Sequence, residues 1–335
     1  MKNKLKHLVP VLLALATITG SLSACELKPK AQQKVSKQGF YFDTIIQITL
    51  YGTTDEKYID DCFDMAKKYE DMLSNTVSYS EVSKINDAAG KEYVTVSDDT
   101  LELIKNGIEY GDTSDGRFDI TIGKLSDLWN FSEIAENTDS KDNEVDASVV
   151  PSDAQIQSEL SHVNYRNIQI NGNDVMLTDS KAKLDLGGIA KGFIADKMKA
   201  YLQSKKITSG IINLGGNVLT VGEKSDGSDY TVGIQKPFDE SGEPICTVKI
   251  KDKSVVTSGI YERYYRVDGK LYHHILDTTT GYPVKNNLYS VTIISDSSCD
   301  GDALSTTCFA LGIDKAKELI NCLLYTSDAA DDRIS

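Results

Sequence analysis

The sequence predicts an α+β fold in a single large domain. Three observations predict it. Strand-like and helix-like segments are interspersed without the regular β-α-β alternation of a doubly wound sheet. Setting aside the two ends leaves roughly 290 residues, enough for one large domain or two small ones, and no internal repeat divides them. Hydrophobic residues make up 40% of the chain, enough for a proper core.

Taken in order, residues 40–51 (FYFDTIIQITLY) are β-branched and aromatic and predict a strand. Residues 55–73 space Ile59, Phe63, Ala66, Met72 and Leu73 as a helix does. Residues 80–86 are a polar turn or short helix, and 99–113 a second long helix. The acidic, Asn- and Ser-rich run 132–153 predicts a surface loop. Pro151-Ser152-Asp153 then places a proline and capping residues where a helix starts. Residues 167–178 predict a hairpin, Ile168 and Ile170 answering Val175 and Leu177 across an N-G-N-D turn. A helix over 193–205 is followed by strands and turns from 211 to 294. A helix over 300–311 has Asp300 as a candidate cap and Gly312 as its stop, and a further helix begun over 314–320 runs into the C-terminal segment.

The ends read differently. Three lysines stand within the first six residues, followed by an apolar run from Leu8 to about Ile18: the plan of a secretory signal over residues 1–24. It is too short for a convincing membrane span. Leu22-Ser23-Ala24-Cys25 resembles a bacterial lipobox, which predicts lipidation of Cys25 and an extracytoplasmic protein anchored to the membrane. Residues 25–38 are then a lipidated, lysine-rich tether. At the other end, residues 322–335 read like one translated frame of a transposase sequencing adapter, so the native domain is expected over 39–321.

The formal net charge of −14 argues against a nucleic-acid partner, which needs a basic stripe. An acidic protein that holds a polyphosphate needs a cation or backbone amides. Of six cysteines, Cys62, Cys246, Cys299 and Cys308 remain once the ends are set aside. None forms a C-x-x-C pair, so neither a disulfide scaffold nor a zinc site is indicated.

Four constellations could carry chemistry. Asp185-Leu186-Gly187-Gly188-Ile189-Ala190-Lys191-Gly192 lies between a strand and a helix. Its glycines allow close backbone approach, the helix N-terminus favours an anion, and Lys191 adds a point charge. Glycines at such a turn also serve plain packing. Asp302 and Thr306 are i and i+4 on one helix face. A carboxylate and a hydroxyl make a partial shell for Mg²⁺, which relies on substrate phosphates for the rest; the same residues also make an ordinary polar first turn. His273 and His274 sit on an extended segment and face opposite sides, so one can line a site. Finally, Ser114 to Thr121 lead to the only tryptophan, Trp129. They could bind a flat heteroaromatic ring, or form a turn beside an aromatic core anchor.

Together these pieces resemble the ApbE family, the FAD:protein FMN transferases. The matching stretches are SDGRFDITIG (114–123) with LWNF (128–131), DLGGIAKGFIAD (185–196), INLGGNV (212–218), VGIQKP (232–237), TSGIYERYY (257–265), HHILDTTTGYP (273–283) and DALSTTCFALG (302–312). The resemblance implies a domain related to the tunnelling fold, FAD as substrate, Mg²⁺ as cofactor and AMP as by-product. It implies Asp302, Thr306 and the Gly188 carbonyl as metal ligands, and Asp185 and Lys191 as flavin-nucleotide contacts. Asp119, Ile120, Thr121, His274 and Ile275 are implied in the FAD pocket. Ser305 stands where some members carry a second carboxylate ligand. Phe42-Asp43-Thr44 replaces the usual Met-Gly-Thr, Thr76 replaces a common aromatic, and Asp277-Thr278 replaces Asp-Pro.

The expected reaction is transfer of FMN from FAD to a threonine or serine hydroxyl of an acceptor flavoprotein. His274 is the candidate base and Asp185 the second. The resemblance suggests redox subunits of Rnf- or Nqr-type complexes as acceptors. Two alternatives stay open: an FAD pyrophosphatase that uses water, and a non-catalytic flavin-binding lipoprotein.

Overall fold

The computed structural model describes residues 33–138, 143–239 and 241–331. The signal segment and Cys25 lie outside the described residues. The first strand, β1 (Lys34–Tyr41), pairs antiparallel with β2 (Thr44–Tyr51). This corrects two expectations. The strand read over 40–51 is the second arm of a hairpin, and the tether read to residue 38 is already sheet from Lys34. The turn was hidden because Phe42 and Asp43 take φ of 53° and 54°, a left-handed pair that hairpins ordinarily assign to Asn and Gly. In β1 exposed residues alternate with half-buried ones, without a fully buried position, so its hydrophobic pattern is faint. In β2, Ile46, Ile48 and Leu50 all point into the core.

Next come α1 (Lys57–Leu73), α2 (Glu81–Asp87) capped by Ser80, β3 (Val94–Thr95) and α3 (Asp98–Thr113) capped by Ser97. The segment expected to be loop from 132 begins as helix. α4 (Gly123–Trp129) and α5 (Phe131–Glu136) are separated only by Asn130 at φ 46°. Phe131, buried beside Trp129, draws that run into the core. α6 (Asp153–Leu160) starts with a full capping box from Ser152 and Gln155. The predicted hairpin is present as β4 (Ile168–Asn171) and β5 (Asp174–Leu177), with Ile168 opposite Leu177 and Ile170 opposite Val175.

The remaining elements are α7 (Ala190–Ser204), β6 (Ser209–Leu214), β7 (Asn217–Gly222), β8 (Tyr230–Gln235), β9 (Pro244–Ile250), β10 (Ser254–Gly259), β11 (Tyr264–Val267), β12 (Lys270–His273), β13 (Ser290–Ser295), α8 (Ser298–Leu311) and α9 (Ile313–Asp331). A six-stranded sheet in the order β1-β2-β6-β7-β10-β13 is the backbone of the molecule. All the paired strands within it are antiparallel. α7 and α8 pack on it and on each other. The Gly312 stop holds, with φ 77°. The helix start expected at Asp300 moves to Ser298, because Ser297 is the actual cap. α9 extends into the segment read as foreign, as far as Asp331.

The largest apolar cluster joins the sheet to α1, α3 and α7. A second cluster gathers Leu125, Trp129, Phe131, Ile156, Tyr265, Val267 and Leu276.

Candidate functional site

Two helix starts meet to make the site. The N-cap of α7 is Ile189, whose side chain cannot cap, so the first amides of α7 need partners from elsewhere. Asp302 of α8 provides one, its Oδ2 accepting from the Gly192 amide at 2.9 Å. The arrangement is reciprocal. Asp196 of α7 accepts from the Ser298 and Cys299 amides at 2.9 Å each and from the Ser297 hydroxyl at 3.0 Å. Burial pushes the Asp196 carboxyl above the usual carboxylate range, against the pull of those hydrogen bonds. The two helices approach this closely because residue 192 is glycine: a Cβ there would overlap the Ser298 carbonyl.

This contact has an effect on Gly188. In a regular ladder the Gly192 amide would serve the carbonyl four residues back. Here it serves Asp302, and the Gly188 carbonyl is left out of the α7 ladder. Asp302 is 4% exposed. Its second oxygen, Oδ1, lies 3.9 Å from Lys191 Nζ. The same ammonium donates to the Gly187 carbonyl at 3.3 Å. Thr306, the next turn along α8, is half-buried. Asp185 turns its Oδ1 onto the Gly187 amide at 2.8 Å and so shapes the glycine turn.

One carboxylate, one hydroxyl and one free carbonyl form an oxygen-only donor set, which suits Mg²⁺. Among the described residues no cluster of three or more His, Cys, Asp or Glu gathers to hold a metal. Three protein oxygens fill half of an octahedral shell and leave the other positions to phosphate oxygens and water.

His274 couples to this corner electrostatically through Lys191. Its ring Nδ1 is 3.1 Å from the Arg263 carbonyl. A carbonyl only accepts, so Nδ1 carries the proton and Nε2 keeps its lone pair. Burial, with the Arg263 cation second, pushes the ring down to about 3. His273 faces the other way, as alternation predicts. It is buried and donates from Nε2 to the Val284 carbonyl at 3.0 Å. Glu262 stands on the rim. Desolvation pushes its carboxyl up to about 7, opposed by Lys191 and Arg263 and assisted by Asp302. These electrostatic couplings join the 257–265 segment to the α7–α8 corner.

Other expected site residues lie differently. Asp119 is buried, accepting from the Thr121 amide and hydroxyl at 2.8 and 2.6 Å and from the Tyr165 amide at 2.9 Å. Thr121 in turn accepts from the Asn164 amide at 2.8 Å. Ile120 and Ile275 are core side chains at 1% and 4% exposure. The Ile120 carbonyl accepts from the Asp185 amide at 2.8 Å and so ties this segment to the start of the glycine turn. Trp129 is a core anchor: fully buried, stacked on Phe131, its indole N–H on the Gly281 carbonyl at 2.8 Å. Of the two roles open for this stretch, Trp129 itself takes the core-anchor one, with no face of the indole left for a ligand. The reading of the sequence did not assign Ser258, Glu262 or Asp196. Their signal was present inside the TSGIYERYY and DLGGIAKGFIAD stretches, but strand and helix facing decides which members of a motif turn inward.

The sequence model of the ApbE family matches residues 42–329. The chain belongs to the ApbE family. An FAD:protein FMN transferase of Klebsiella pneumoniae (strain 342) is 39% identical over 272 residues, which is 81% of this chain and 80% of that protein. The crystal structure of the ApbE protein from Thermotoga maritima matches with a TM-score of 0.78 at 32% identity, covering 88% of this chain and 92% of the other. The flavin transferase ApbE from Vibrio cholerae matches with a TM-score of 0.74 at 26% identity, over 86% and 90%. The ApbE match runs from the β1–β2 turn almost to the end of α9 and so spans every element of the site.

Proposed function

We propose that this ApbE-family protein is an enzyme that transfers FMN from FAD to a threonine or serine hydroxyl of an acceptor protein, releasing AMP. The observation that carries this reading is the α7–α8 corner. Asp302 reaches the Gly192 amide and Lys191, Thr306 follows one turn along α8, the α7 ladder leaves the Gly188 carbonyl out, and a helix N-terminus favours a polyphosphate. The name shared by its relatives supports the substrate, and the oxygen-only donor set supports Mg²⁺.

Asp302, Thr306 and the Gly188 carbonyl would hold Mg²⁺, which when bound neutralises charge building on the pyrophosphate oxygens. Lys191 binds the pyrophosphate beside it and keeps it near the α7 amides. The acceptor oxygen attacks the FMN phosphorus as the P–O–P bond breaks, and AMP leaves with the bridging oxygen. The acceptor proton goes to His274 Nε2. Burial first, and Arg263 with Lys191 after it, hold that ring at low basicity; a bound pyrophosphate offsets the two cations and raises it in part. Asp185, with one oxygen on the Gly187 amide, is the second candidate base. Most of the rate then comes from positioning and preorganised charge.

Lipidation at Cys25, residence at the outer face of a membrane, and acceptors among Rnf- or Nqr-type redox subunits belong to the same proposal. Incubating the protein with FAD and Mg²⁺, with and without a flavin-free acceptor domain, tests it by mass spectrometry. Added FMN on the acceptor and stoichiometric AMP are expected. FMN and AMP appearing at the same rate without acceptor, and no adduct with it, would place water in the acceptor's role. Tight FAD binding with no AMP would make the protein a carrier. Asp302→Ala should abolish Mg²⁺-dependent turnover, and full activity in that variant would sink the metal assignment.

A further inference from the structure

The strand β10 and the helix α8 face each other in step. Alternate residues of a strand share a face, and Ser254, Val256 and Ser258 turn toward α8. Ser254 Oγ donates to Ser298 Oγ at 3.0 Å. Val256 lies against Gly301, where an added Cβ would meet Val256 Cγ2 at 2.9 Å. Ser258 then reaches the third rung, where its Oγ is 2.7 Å from Ser305 Oγ and 3.1 Å from Thr306 Oγ1. Ser305 is fully buried and donates to the Asp302 backbone carbonyl at 2.9 Å.

The protons in this cluster can be assigned by counting. Each hydroxyl has one proton and can accept besides. The Asp302 carbonyl has none, so the Ser305 proton is committed to it. Ser305 can then only accept in its short contact with Ser258, so the Ser258 proton points to Ser305. Ser258 can then only accept from Thr306. The hydroxyls form a one-way chain, Thr306 to Ser258 to Ser305 to the Asp302 carbonyl.

We propose that Ser258 and Ser305 are positioning residues that hold the Thr306 proton against β10, so that the Thr306 oxygen presents lone pairs to a divalent cation. This inference rests on the reading that Asp302 and Thr306 hold Mg²⁺. It gives Ser305, which stands where some relatives carry a carboxylate, a part in the metal site without contact with the metal. Without the chain, the Thr306 hydroxyl rotates freely and its proton competes for the side that faces the cation.

The test is direct binding of Mn²⁺, followed by the free-ion electron paramagnetic resonance signal, on the full chain with and without ADP as a flavin-free pyrophosphate. Ser258→Ala and Ser305→Ala should each weaken Mn²⁺ binding about tenfold, as loss of an orienting partner does at metal sites. Ser258→Thr, which keeps the hydroxyl, should bind as the parent does. If the parent binds and both alanine variants bind equally well, the relay is wrong while the metal reading stands. If Ser258→Thr binds as weakly as Ser258→Ala, the relay is also wrong. Absence of Mn²⁺ binding in the parent would overturn the metal reading and this inference with it. Should Ser305→Ala unfold, the half-buried Ser258 decides the matter alone.

Discussion

At Asp302 one oxygen caps α7 through the Gly192 amide and the other faces Lys191. The two functions can be separated. Asn at this position retains an acceptor for the Gly192 amide but loses the charge. Asp302→Asn should keep its melting temperature while Mg²⁺-dependent turnover drops on the order of 100-fold or more. Asp302→Ala should lose turnover and, in addition, about 1 kcal/mol of stability with the cap; equal melting curves for the two variants would count against the capping role. A second prediction concerns His273, whose burial pushes it down to about 4. An unfolded histidine takes its proton near 6.5, so between those values the unfolded chain binds more protons and stability rises with pH. Stability should therefore fall as pH drops from about 6.5 to 4, with this residue contributing at most about 1.4 kcal/mol per pH unit. His273→Gln should be less stable at pH 7 yet show a shallower slope in urea titrations across that range. At this scale the sequence picked out neighbours: Lys191 lies 3.9 Å from Asp302, and Lys191 and Asp185 both hydrogen-bond to Gly187. That Asp119 and Ile275 turn their side chains into the protein was not legible, because what packs behind a residue decides which way it faces.

The α7–α8 contact is the element on which the site depends. Gly192→Ala should destabilise the fold by about 1–3 kcal/mol, since the new methyl must push α8 away. It should also raise the Mg²⁺ concentration needed for half-maximal turnover, which separates it from a substitution that only loosens the core. Helices and the β4–β5 hairpin were readable because their apolar spacing and caps agree: Ser152 with Gln155, Gly312 at the end of α8. The β1–β2 hairpin was not, because its turn is made by Phe42 and Asp43 at positive φ and its first arm lacks a fully buried face. α5 was missed for the opposite reason. Its acidic exterior masks the single buried Phe131 that fixes it beside Trp129.

Over the whole molecule, antiparallel pairing throughout the six-stranded sheet bears out the α+β expectation against a doubly wound one. Local patterning cannot give the strand order, since β2 pairs with β6 across more than 150 residues of intervening chain. Trp129, buried at 0% exposure in the second cluster, reports on this level. Its emission should resist iodide quenching in the native protein and become accessible in one step with unfolding; quenching before that step would show that the second cluster opens separately.

The reciprocal caps of α7 and α8 also set how the enzyme fails. Asp196 and Asp302 each complete the other's helix, so separating the two helices removes the donor set and the anion site together. In the parent sequence, thermal separation of the two helices leaves no half-assembled site behind. Heating or denaturant should therefore reduce the number of competent molecules rather than the competence of each. The loss of activity should coincide with loss of structure, and the rate per folded molecule should hold nearly constant up to the transition.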